Sequence, residues 1–440
     1  MARQQALSLP KIAIVGAGPS GLVLASHLLR THPSFPLTVF DLRSLPSPDA
    51  VSQPSGSLDL HPESGLLAIK SCGLLSKFES LAGECSEDMI LANKDGEIKH
   101  QDHGDGSRPE ISRNALTDLL LSSVPGGVVT WETKVLSVMP STSNGWMLQY
   151  QNKGCSTTVQ EEFDLIVGAD GAWSRVSPSI TKVVPFYSTV NCITLTIPHL
   201  TTSYPHLASV VGTGTYSALG HGKGCFSQRG SMGSTRVYLM LASESETYLS
   251  DSGLTALATK PEELKQRMVG DGEFYRDWSE DCRALIRAGC DAEARGFSEG
   301  DCISIKPLSM LPKDHTWTHV PGLTLIGDAA HLMTPFAGEG VNLAMIDALR
   351  LSEAISSAIP PPPSDFSPER LDAAIETFEK EMWERAHPVQ EQTLMFLGLM
   401  FQDPDAPAGF VRKFEEMFAA MAAGQGGPPG IEDEVEERRE

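Results

Sequence analysis

The pattern of apolar and polar positions near the start of the chain predicts a strand, a helix and a second strand. Residues 11–15 form an apolar, β-branched run that is typical of a buried parallel strand. Residues 22–29 have the apolar content of a packed helix, and residues 37–40 form a second apolar run that ends at Asp41. This order predicts a parallel sheet whose first two strands are joined by a helix.

Later segments predict a mixed α/β chain without internal repeats. Residues 89–99 predict a hairpin around Lys94-Asp95-Gly96. Further strands are predicted at 128–131, 134–139, 146–151, 155–160, 164–167, 191–197, 210–219, 235–242 and 323–326. Helices are predicted at 261–269, 279–288, 341–358 and 369–400. The last two are separated by Pro360 to Pro363, because proline cannot continue a helix.

Three glycines stand between the first strand and its helix with the spacing Gly-x-Gly-x-x-Gly. Gly16 permits a tight turn, Gly18 lets the backbone approach a pyrophosphate, and Gly21 lets the helix pack closely on the strand. The helix directs its N-terminal N–H groups at the phosphate. Asp41 stands where an acidic residue would bind ribose hydroxyls. The segment predicts a dinucleotide site; the alternative is a glycine-rich turn without a ligand.

A second segment, 325–342, predicts the other end of the same site. Asp328 follows a strand and is placed to accept a hydrogen bond from a ribityl hydroxyl, while Gly338 and Gly340 would let backbone amides approach a flavin ring. The helix from 341 would aim its positive end at that ring. The alternative is an aspartate cap and a glycine-rich loop. A nicotinamide enzyme needs only the first segment, whereas an extended FAD needs both, so the pair predicts FAD.

These motifs resemble those of a known family. The chain resembles the FAD-dependent aromatic monooxygenases of the para-hydroxybenzoate hydroxylase type, and within it the tetracycline-inactivating and the fungal secondary-metabolism flavin monooxygenases. The resemblance extends over about residues 11–400. The stretches that carry it are 16–21, 56–61, 109–116, 168–175 and 327–342.

The resemblance implies an α/β fold with a Rossmann-like FAD-binding domain, an inserted β-sheet substrate domain and C-terminal helices. The FAD-binding domain would comprise 1–182 and 301–400, and the substrate domain 183–300. Residues 401–440 would form a C-terminal helix and an acidic, disordered tail.

The resemblance also implies three further cofactor residues. Arg113 would reach the pyrophosphate or the ribityl oxygens, Asp59 would contact the flavin, and Asp170 belongs to the family's Asp-Gly motif. From the residues alone, Arg113 could equally be a solvated arginine at the start of a helix, and the two aspartates could be turn carboxylates.

The activity that the resemblance implies is insertion of one oxygen atom from O2, as hydroxylation or epoxidation, into a small aromatic or polycyclic secondary metabolite. NADPH would reduce the FAD. This chemistry needs no protein nucleophile, and we assign no catalytic residue and no metal. Substrate contacts are predicted at four residues, each of which could instead be ordinary packing: Thr194, Tyr216, His221 and Phe336.

The chain departs from the tetracycline-inactivating enzymes at two positions. The tetracycline-inactivating enzymes have an arginine implicated in pyridine-nucleotide binding where this chain has Ser52. Their tetracycline-contacting arginine aligns near Tyr216, so tetracycline is not the predicted substrate. A halogenase would need Gly-Trp-x-Trp-x-Ile, which residues 145–148 break. The open alternatives are a non-oxygenating flavin oxidase or dehydrogenase, and a non-catalytic binding protein on the FAD scaffold.

Charge and composition narrow the partners. The 34 Lys and Arg against 56 Asp and Glu give a net charge of -22, which argues against nucleic acid or an anionic membrane as a partner. No stretch approaches the ~20 apolar residues of a membrane span. The scattered cysteines show no Cys-x-x-Cys spacing, which argues against a metal cluster or a redox disulfide. We expect a cytoplasmic protein that is a monomer or weak homodimer.

Overall fold

The computed structural model describes residues 9–83, 85–142, 145–296, 300–359 and 366–422, without the side chains of 417, 418 and 420–422. The predicted proline break at 360–363 and the acidic tail lie outside these residues. The strands are β1 (Ile12–Val15), β2 (Leu37–Phe40), β3 (Ser57–Asp59), β4 (Met89–Asn93), β5 (Ile98–Asp102), β6 (Glu110–Ser112), β7 (Val129–Thr130), β8 (Thr133–Pro140), β9 (Trp146–Asn152), β10 (Val159–Phe163), β11 (Leu165–Gly168), β12 (Phe186–Ile197), β13 (Thr215–Gly220), β14 (Lys223–Arg229), β15 (Thr235–Ala242), β16 (Ser304–Met310) and β17 (Leu323–Leu325).

Helices cover these sheets on several sides. They are α1 (Pro19–Thr31), α2 (Gly65–Ser71), α3 (Leu75–Leu81), α4 (Arg113–Leu121), α5 (Leu200–Ser203), α6 (Pro205–Val211), α7 (Tyr248–Asp251), α8 (Pro261–Gly270), α9 (Glu280–Gly296), α10 (Asp328–His331), α11 (Gly340–Ala358), α12 (Pro368–Leu397) and α13 (Ala408–Ala422). Short 3-10 turns lie at Pro48–Ser52, Ser177–Ser179, Ser231–Gly233, Leu254–Leu257 and Pro335–Ala337, and a π-helical turn at Gly398–Gln402. Among the described helices, none combines the length and apolar character needed to cross a bilayer.

A five-stranded parallel sheet forms the first layer, in the order β17-β11-β1-β2-β7. Its strands are buried and rich in Ile, Val and Leu, as a sheet covered on both faces requires. Helices α1, α11 and α12 contribute to the same core. Because the strands are parallel, their carboxyl ends share one edge, where a ligand site is expected.

A seven-stranded sheet forms the second layer, in the order β16-β12-β15-β14-β13-β4-β5. One face packs on α8 and α9 through a core that includes Leu195, Leu239 and Leu285. Part of the opposite face packs on the end of α12 and on α13. The rest of that opposite face borders a cleft beside the parallel sheet.

The α/β fold class is confirmed, with local differences. The predicted strand at 210–219 is wrong in its first part, because residues 205–211 form helix α6 and the strand starts at Thr215. The predicted strand at 155–160 is displaced to Val159–Phe163. Strands β14 and β16 were not predicted, because polar residues interrupt their apolar alternation.

The predicted domain boundaries remain a proposal. The seven-stranded sheet takes β4 and β5 from residues 89–102, because β4 pairs in parallel with β13. It also takes β16, from residues 304–310, which pairs with β12. The seven-stranded sheet therefore draws strands from both sides of the 183–300 segment.

Candidate active site

The glycine turn after β1 is built by close backbone approaches. Gly16 has φ of +109°, and a β-carbon added there would lie 2.2 Å from the carbonyl oxygen of Ala169. At Gly21 an added β-carbon would lie 1.9 Å from the carbonyl oxygen of Gly16. Gly18 has no atom within 4 Å of that position and faces the cleft. Gly16 and Gly21 are needed for packing, whereas Gly18 leaves room for a ligand.

Asp41 directly follows β2, as predicted, but its carboxylate already has protein partners. It accepts hydrogen bonds from the N–H of Ala17 at 2.7 Å and from the Arg43 guanidinium at 2.8 and 3.0 Å. Burial alone would raise the pKa of Asp41, but these hydrogen bonds outweigh it and lower the pKa. Asp41 therefore fixes Arg43 beside the turn, and Arg43 is a group of this region that the sequence reasoning missed.

Asp170 lies after β11 at the same edge of the parallel sheet. One carboxylate oxygen accepts the N–H of Arg175 at 2.6 Å. The other, Oδ1, is buried and has no hydrogen-bond partner among the described residues. Burial raises the pKa of Asp170, opposed by hydrogen bonds from Ser174 and Arg175. A buried oxygen without a partner at a ligand cavity is suited to accept a hydrogen bond from a bound hydroxyl.

Asp328 and Arg113 face one cavity from opposite segments of the chain. Asp328 begins α10 after β17, and Arg113 begins α4 after β6, capped by Ser112. Both line a cavity of about 550 Å³. Burial raises the pKa of Asp328, while His331 and Arg113 oppose the shift. The Asp328 carboxylate, a hydrogen-bond acceptor, and the Arg113 guanidinium thus line the same cavity. A ligand with both hydroxyl groups and a diphosphate requires such a pair.

Asp59 belongs to a cluster of charged side chains that the sequence did not reveal. We call it the His61 clamp: His61 with Asp59, Glu63 and Glu339. The His61 imidazole is 3% exposed and lies 3.0 Å from Asp59, 3.2 Å from Glu339 and 3.7 Å from Glu63. Burial lowers the pKa of His61, but hydrogen bonds to Asp59 and Glu339 outweigh it and raise the pKa to about 9. The protonated ring therefore links β3 to the loop before α11.

A second contact holds the same two segments together. The amide of Asn342, which is fully buried, donates to the carbonyl oxygen of Asp59 at 3.1 Å and accepts the N–H of His61 at 2.9 Å. Gly338, with φ of +76°, and Gly340 lie in this loop and line the cavity. Helix α11 starts at Gly340, so its N-terminus points toward the cleft edge as predicted.

The predicted substrate residues are not brought together. Phe336 lines the cavity and stacks near Phe401, with ring centroids 5.1 Å apart. Thr194 pairs with Tyr238 on the same sheet face but is one strand farther from the cavity. His221 lies in the β13–β14 turn with φ of 51°, outside the residues that line the cavity.

Tyr216 is placed on the opposite face of the sheet. Its side chain is buried in the core with α9, and its hydroxyl lies 4.0 Å from the Cys282 sulfur. Its neighbour Ser217 faces the cavity instead, because successive residues of a strand point to opposite faces. The residue of this pair that faces the cavity is thus Ser217 and not the predicted Tyr216.

The missed residues form a continuous surface. We call it the substrate wall: the cavity-facing residues Ser217, Phe226, Gln228, Tyr238 and Met240 of β13, β14 and β15. The alternation in Arg236, Tyr238 and Met240 against Val237, Leu239 and Leu241 is the signal that could have located it. We call the residues at the carboxyl ends of the parallel strands, Gly16, Gly18, Asp41, Asp170 and Asp328, the cofactor wall.

The cleft is formed by two adjoining cavities. A second cavity of about 460 Å³ lies beside Asp41 and Asp170. It shares Gly18, Ala169 and Gly171 with the cavity beside Asp328, so the two form one elongated cleft. The open space at Gly18 and the unpartnered Oδ1 of Asp170 fit a bound FAD.

Comparison with known proteins identifies the class. A family model described as an FAD binding domain matches residues 282–365. The chain is 37% identical to Monooxygenase asqM of Emericella nidulans, over 94% of this chain and 98% of that protein. It is 39% identical to Monooxygenase penA of Penicillium thymicola, over 90% of this chain and 96% of that protein. The chain belongs to the FAD-dependent monooxygenases, which confirms the predicted family and the FAD cofactor.

The fold agrees with this assignment. A variant of HpxO from Klebsiella pneumoniae complexed with FAD superposes with a TM-score of 0.71 at 17% identity, over 94% of this chain and 98% of that one. This similarity confirms the Rossmann-like architecture.

Proposed function

We propose that this monooxygenase inserts one atom of O2 into a small aromatic or polycyclic secondary metabolite, by hydroxylation or epoxidation, with NADPH as the reductant. The observation that carries the proposal is the substrate wall. Phe226, Tyr238 and Met240 offer flat and apolar surface, and Ser217 and Gln228 offer hydrogen bonds. A largely apolar pocket with a few polar groups suits a ring system bearing a small number of oxygen or nitrogen atoms.

The residues of the cofactor wall would hold FAD along its length. Gly16, Gly18 and Gly21 would receive the pyrophosphate at the N-terminus of α1, with Asp41 and Arg43 toward the adenosine. The remaining contacts would come from Asp59, Arg113, Asp170, Asp328, Gly338 and Gly340. FAD, when bound, supplies the two-electron chemistry that activates O2.

The protein itself would orient the substrate and exclude water from the site. The Phe336 ring lines the cavity and packs against Phe401 of the π-helical turn that follows α12. The seven-stranded sheet covers the opposite side with a packed core behind it. Excluding water strengthens every polar contact made to the substrate and limits unproductive loss of oxidising equivalents.

NADPH as the donor is supported by the family resemblance. Ser52, which the resemblance aligns with a pyridine-nucleotide-binding arginine of the tetracycline-inactivating enzymes, lies in the 3-10 turn Pro48–Ser52. NADPH and NADH should be compared directly by anaerobic reduction of the bound flavin. We further propose a cytoplasmic enzyme that is a monomer or weak homodimer, which sedimentation of the purified protein would test.

One experiment tests the substrate class and the reaction together. NADPH consumption would be followed with a panel of phenolic, polyketide and indole alkaloid compounds, and products would be weighed after reaction under labelled O2. We expect one labelled oxygen atom per product molecule. Label found only in water or peroxide, with a dehydrogenated substrate, would favour the oxidase or dehydrogenase alternative.

A further inference from the structure

A second, smaller cavity adjoins the cleft behind the strand pair β3–β6. It has a volume of about 90 Å³, and its lining includes Ser57, Glu110 and Ser231. Ser57 also lines the main cavity, so its side chain stands between the two spaces. The register of the strand pair sets Asp59 opposite Glu110. The small cavity thus lies one side chain away from the active site.

Three buried polar atoms converge on this cavity without partners. The side chains of Ser57, Glu110 and Ser231 belong to residues that are 3%, 7% and 8% exposed. Ser57 Oγ, Glu110 Oε2 and Ser231 Oγ have no hydrogen-bond partner among the described residues. Buried polar atoms are almost always satisfied by protein or water, and a cavity of about 90 Å³ is large enough to hold water. This compartment is therefore suited to hold water.

Burial moves the titration of the Glu110 carboxyl toward neutral pH. Burial raises its pKa to about 7; the Ser57 hydroxyl opposes the shift, and repulsion from Asp59 and Glu87 adds to it. The Cys85 thiol also lines the cavity. The Ser57 hydroxyl lies close enough to the Glu110 carboxyl to stabilise its charged form.

The compartment also reaches the outside of the molecule. Leu81 and Met232 line it, and both side chains are more than a third exposed. A continuous series therefore runs from solvent through the cavity to Glu110, then to Ser57 and the cleft.

We propose that Glu110 and Ser57, together with water in this cavity, form a proton route from solvent into the active site. The inference rests on the proposed function, because an oxygenation that uses a hydride donor also consumes one proton. Oxygenation of a substrate R–H consumes O2, one hydride and one proton, and yields R–OH and H2O. The pyridine nucleotide supplies the hydride, so the proton must come from solvent.

Each transfer along this route conserves atoms and charge. Glu110 releases its carboxyl proton to Ser57 Oγ, directly or through a bridging water, while the Ser57 O–H bond breaks and its proton enters the cleft. A cavity water then returns a proton from solvent to the Glu110 carboxylate. No redox change occurs at either side chain.

The first test measures the carboxyl group itself. Infrared spectra of the FAD-loaded protein, recorded from pH 5 to 9, should contain a protonated-carboxyl C=O band that titrates near pH 7. The band should be absent in Glu110→Gln and unchanged in Glu79→Gln, which alters an exposed glutamate on α3. A wild-type spectrum identical to that of Glu110→Gln would overturn the proposal.

The second test uses reoxidation of the chemically reduced holoenzyme by O2, which forms hydrogen peroxide and consumes one solvent proton without substrate or NADPH. The wild-type rate should fall as pH rises through about 7. Glu110→Gln and Ser57→Ala should be ~10-fold or more slower and lack this pH dependence, since a positioned proton donor contributes ~10²–10⁴-fold. Ser231→Ala, which keeps both relay residues, should be affected less.

The outcomes separate the two proposals. Wild-type rates and pH profiles in both Glu110→Gln and Ser57→Ala would overturn the proton route, and Ser57→Ala alone decides if Glu110→Gln does not fold. Failure of every panel compound to gain oxygen would overturn the proposed function but leave the infrared and reoxidation results valid.

Discussion

The cofactor wall of the cleft is made of strand ends, whereas the substrate wall is made of a strand face. At the strand ends, backbone atoms crowd one another, as at Gly16 and Ala169, and each position tolerates few side chains. On the strand face, Ser217 and Tyr238 project into open space while their neighbours fill the core behind. Substitutions in the first wall should therefore damage folding and FAD binding, and substitutions in the second should change substrate choice.

The charges are divided in the same way. Carboxylates and cations such as Asp328, Arg113 and His61 surround the cofactor wall. The substrate wall offers neutral hydroxyl, amide and aromatic groups. This division suits a charged diphosphate cofactor at the cofactor wall and, at the substrate wall, the ring system that we propose as the substrate.

The largest effect is expected at the glycine turn. Gly16→Ala forces a β-carbon to within 2.2 Å of a backbone oxygen at φ of +109°, so we expect a loss of about 3 kcal/mol or more in unfolding free energy. Gly18→Ala is the matched control, because its added β-carbon meets no atom within 4 Å. It should fold normally and bind FAD more weakly. Chemical denaturation and FAD titration separate the two effects, and equal stability of both variants would contradict this account.

The His61 clamp should make stability depend on pH. The pKa of His61 is raised from 6.5 to about 9 in the folded protein, so its stabilisation is fully present below about pH 6.5 and is lost as pH rises through about 9. The difference corresponds to at most about 3 kcal/mol, and less after solvent screening of the partly exposed Asp59 and Glu339.

Thermal unfolding from pH 6 to 10 measures this loss. Wild-type stability relative to His61→Gln should decline across that range. His206→Gln provides the control, because His206 pairs with Asp281 at 2.9 Å but is largely exposed. A pH-independent difference between wild type and His61→Gln would show that the imidazole acts only by packing.

Intermediate effects are expected from the two charged groups of the main cavity. Asp328→Ala and Arg113→Ala each remove one polar contact to FAD, and we expect affinity losses of ~1–3 kcal/mol, or about 5- to 150-fold in Kd. FAD titration of the apoprotein measures this, and Asp328→Asn, which keeps an acceptor, should lose less. Unchanged affinity in both alanine variants would remove these residues from the cofactor site.

The cofactor wall was largely predictable from the sequence because its residues follow strands in fixed local order. Gly16 and Asp41 come directly after short apolar runs, and Asp328 follows its run after Gly327. Parallel pairing brings all such ends to one edge. An error of one residue in a strand boundary does not move them away from that edge. Contacts between distant segments were not predictable, as with His61 and Glu339, because their pairing depends on tertiary packing.

The substrate wall was predictable only in outline. Its strands were mostly located, but successive side chains of a strand point alternately to the cavity and to the core. An error of one position therefore places a core residue in the cavity. The same limit applies to Glu110, whose burial follows from the β3–β6 pairing and not from its local sequence. A single sequence therefore predicts the cofactor wall better than the substrate wall.

The smallest effects, and the sharpest test of the wall assignment, are expected from neighbouring residues of β13. Ser217→Val should change KM for the identified substrate several-fold, because its side chain lines the cavity, and leave FAD affinity unchanged. Tyr216→Phe loses only a weak contact between its hydroxyl and the Cys282 sulfur at 4.0 Å, so stability should change by less than about 1 kcal/mol and KM should be unaffected. Steady-state kinetics and denaturation of the two variants distinguish the faces. If Tyr216→Phe shifts KM and Ser217→Val does not, the opposite face of the seven-stranded sheet contacts the substrate.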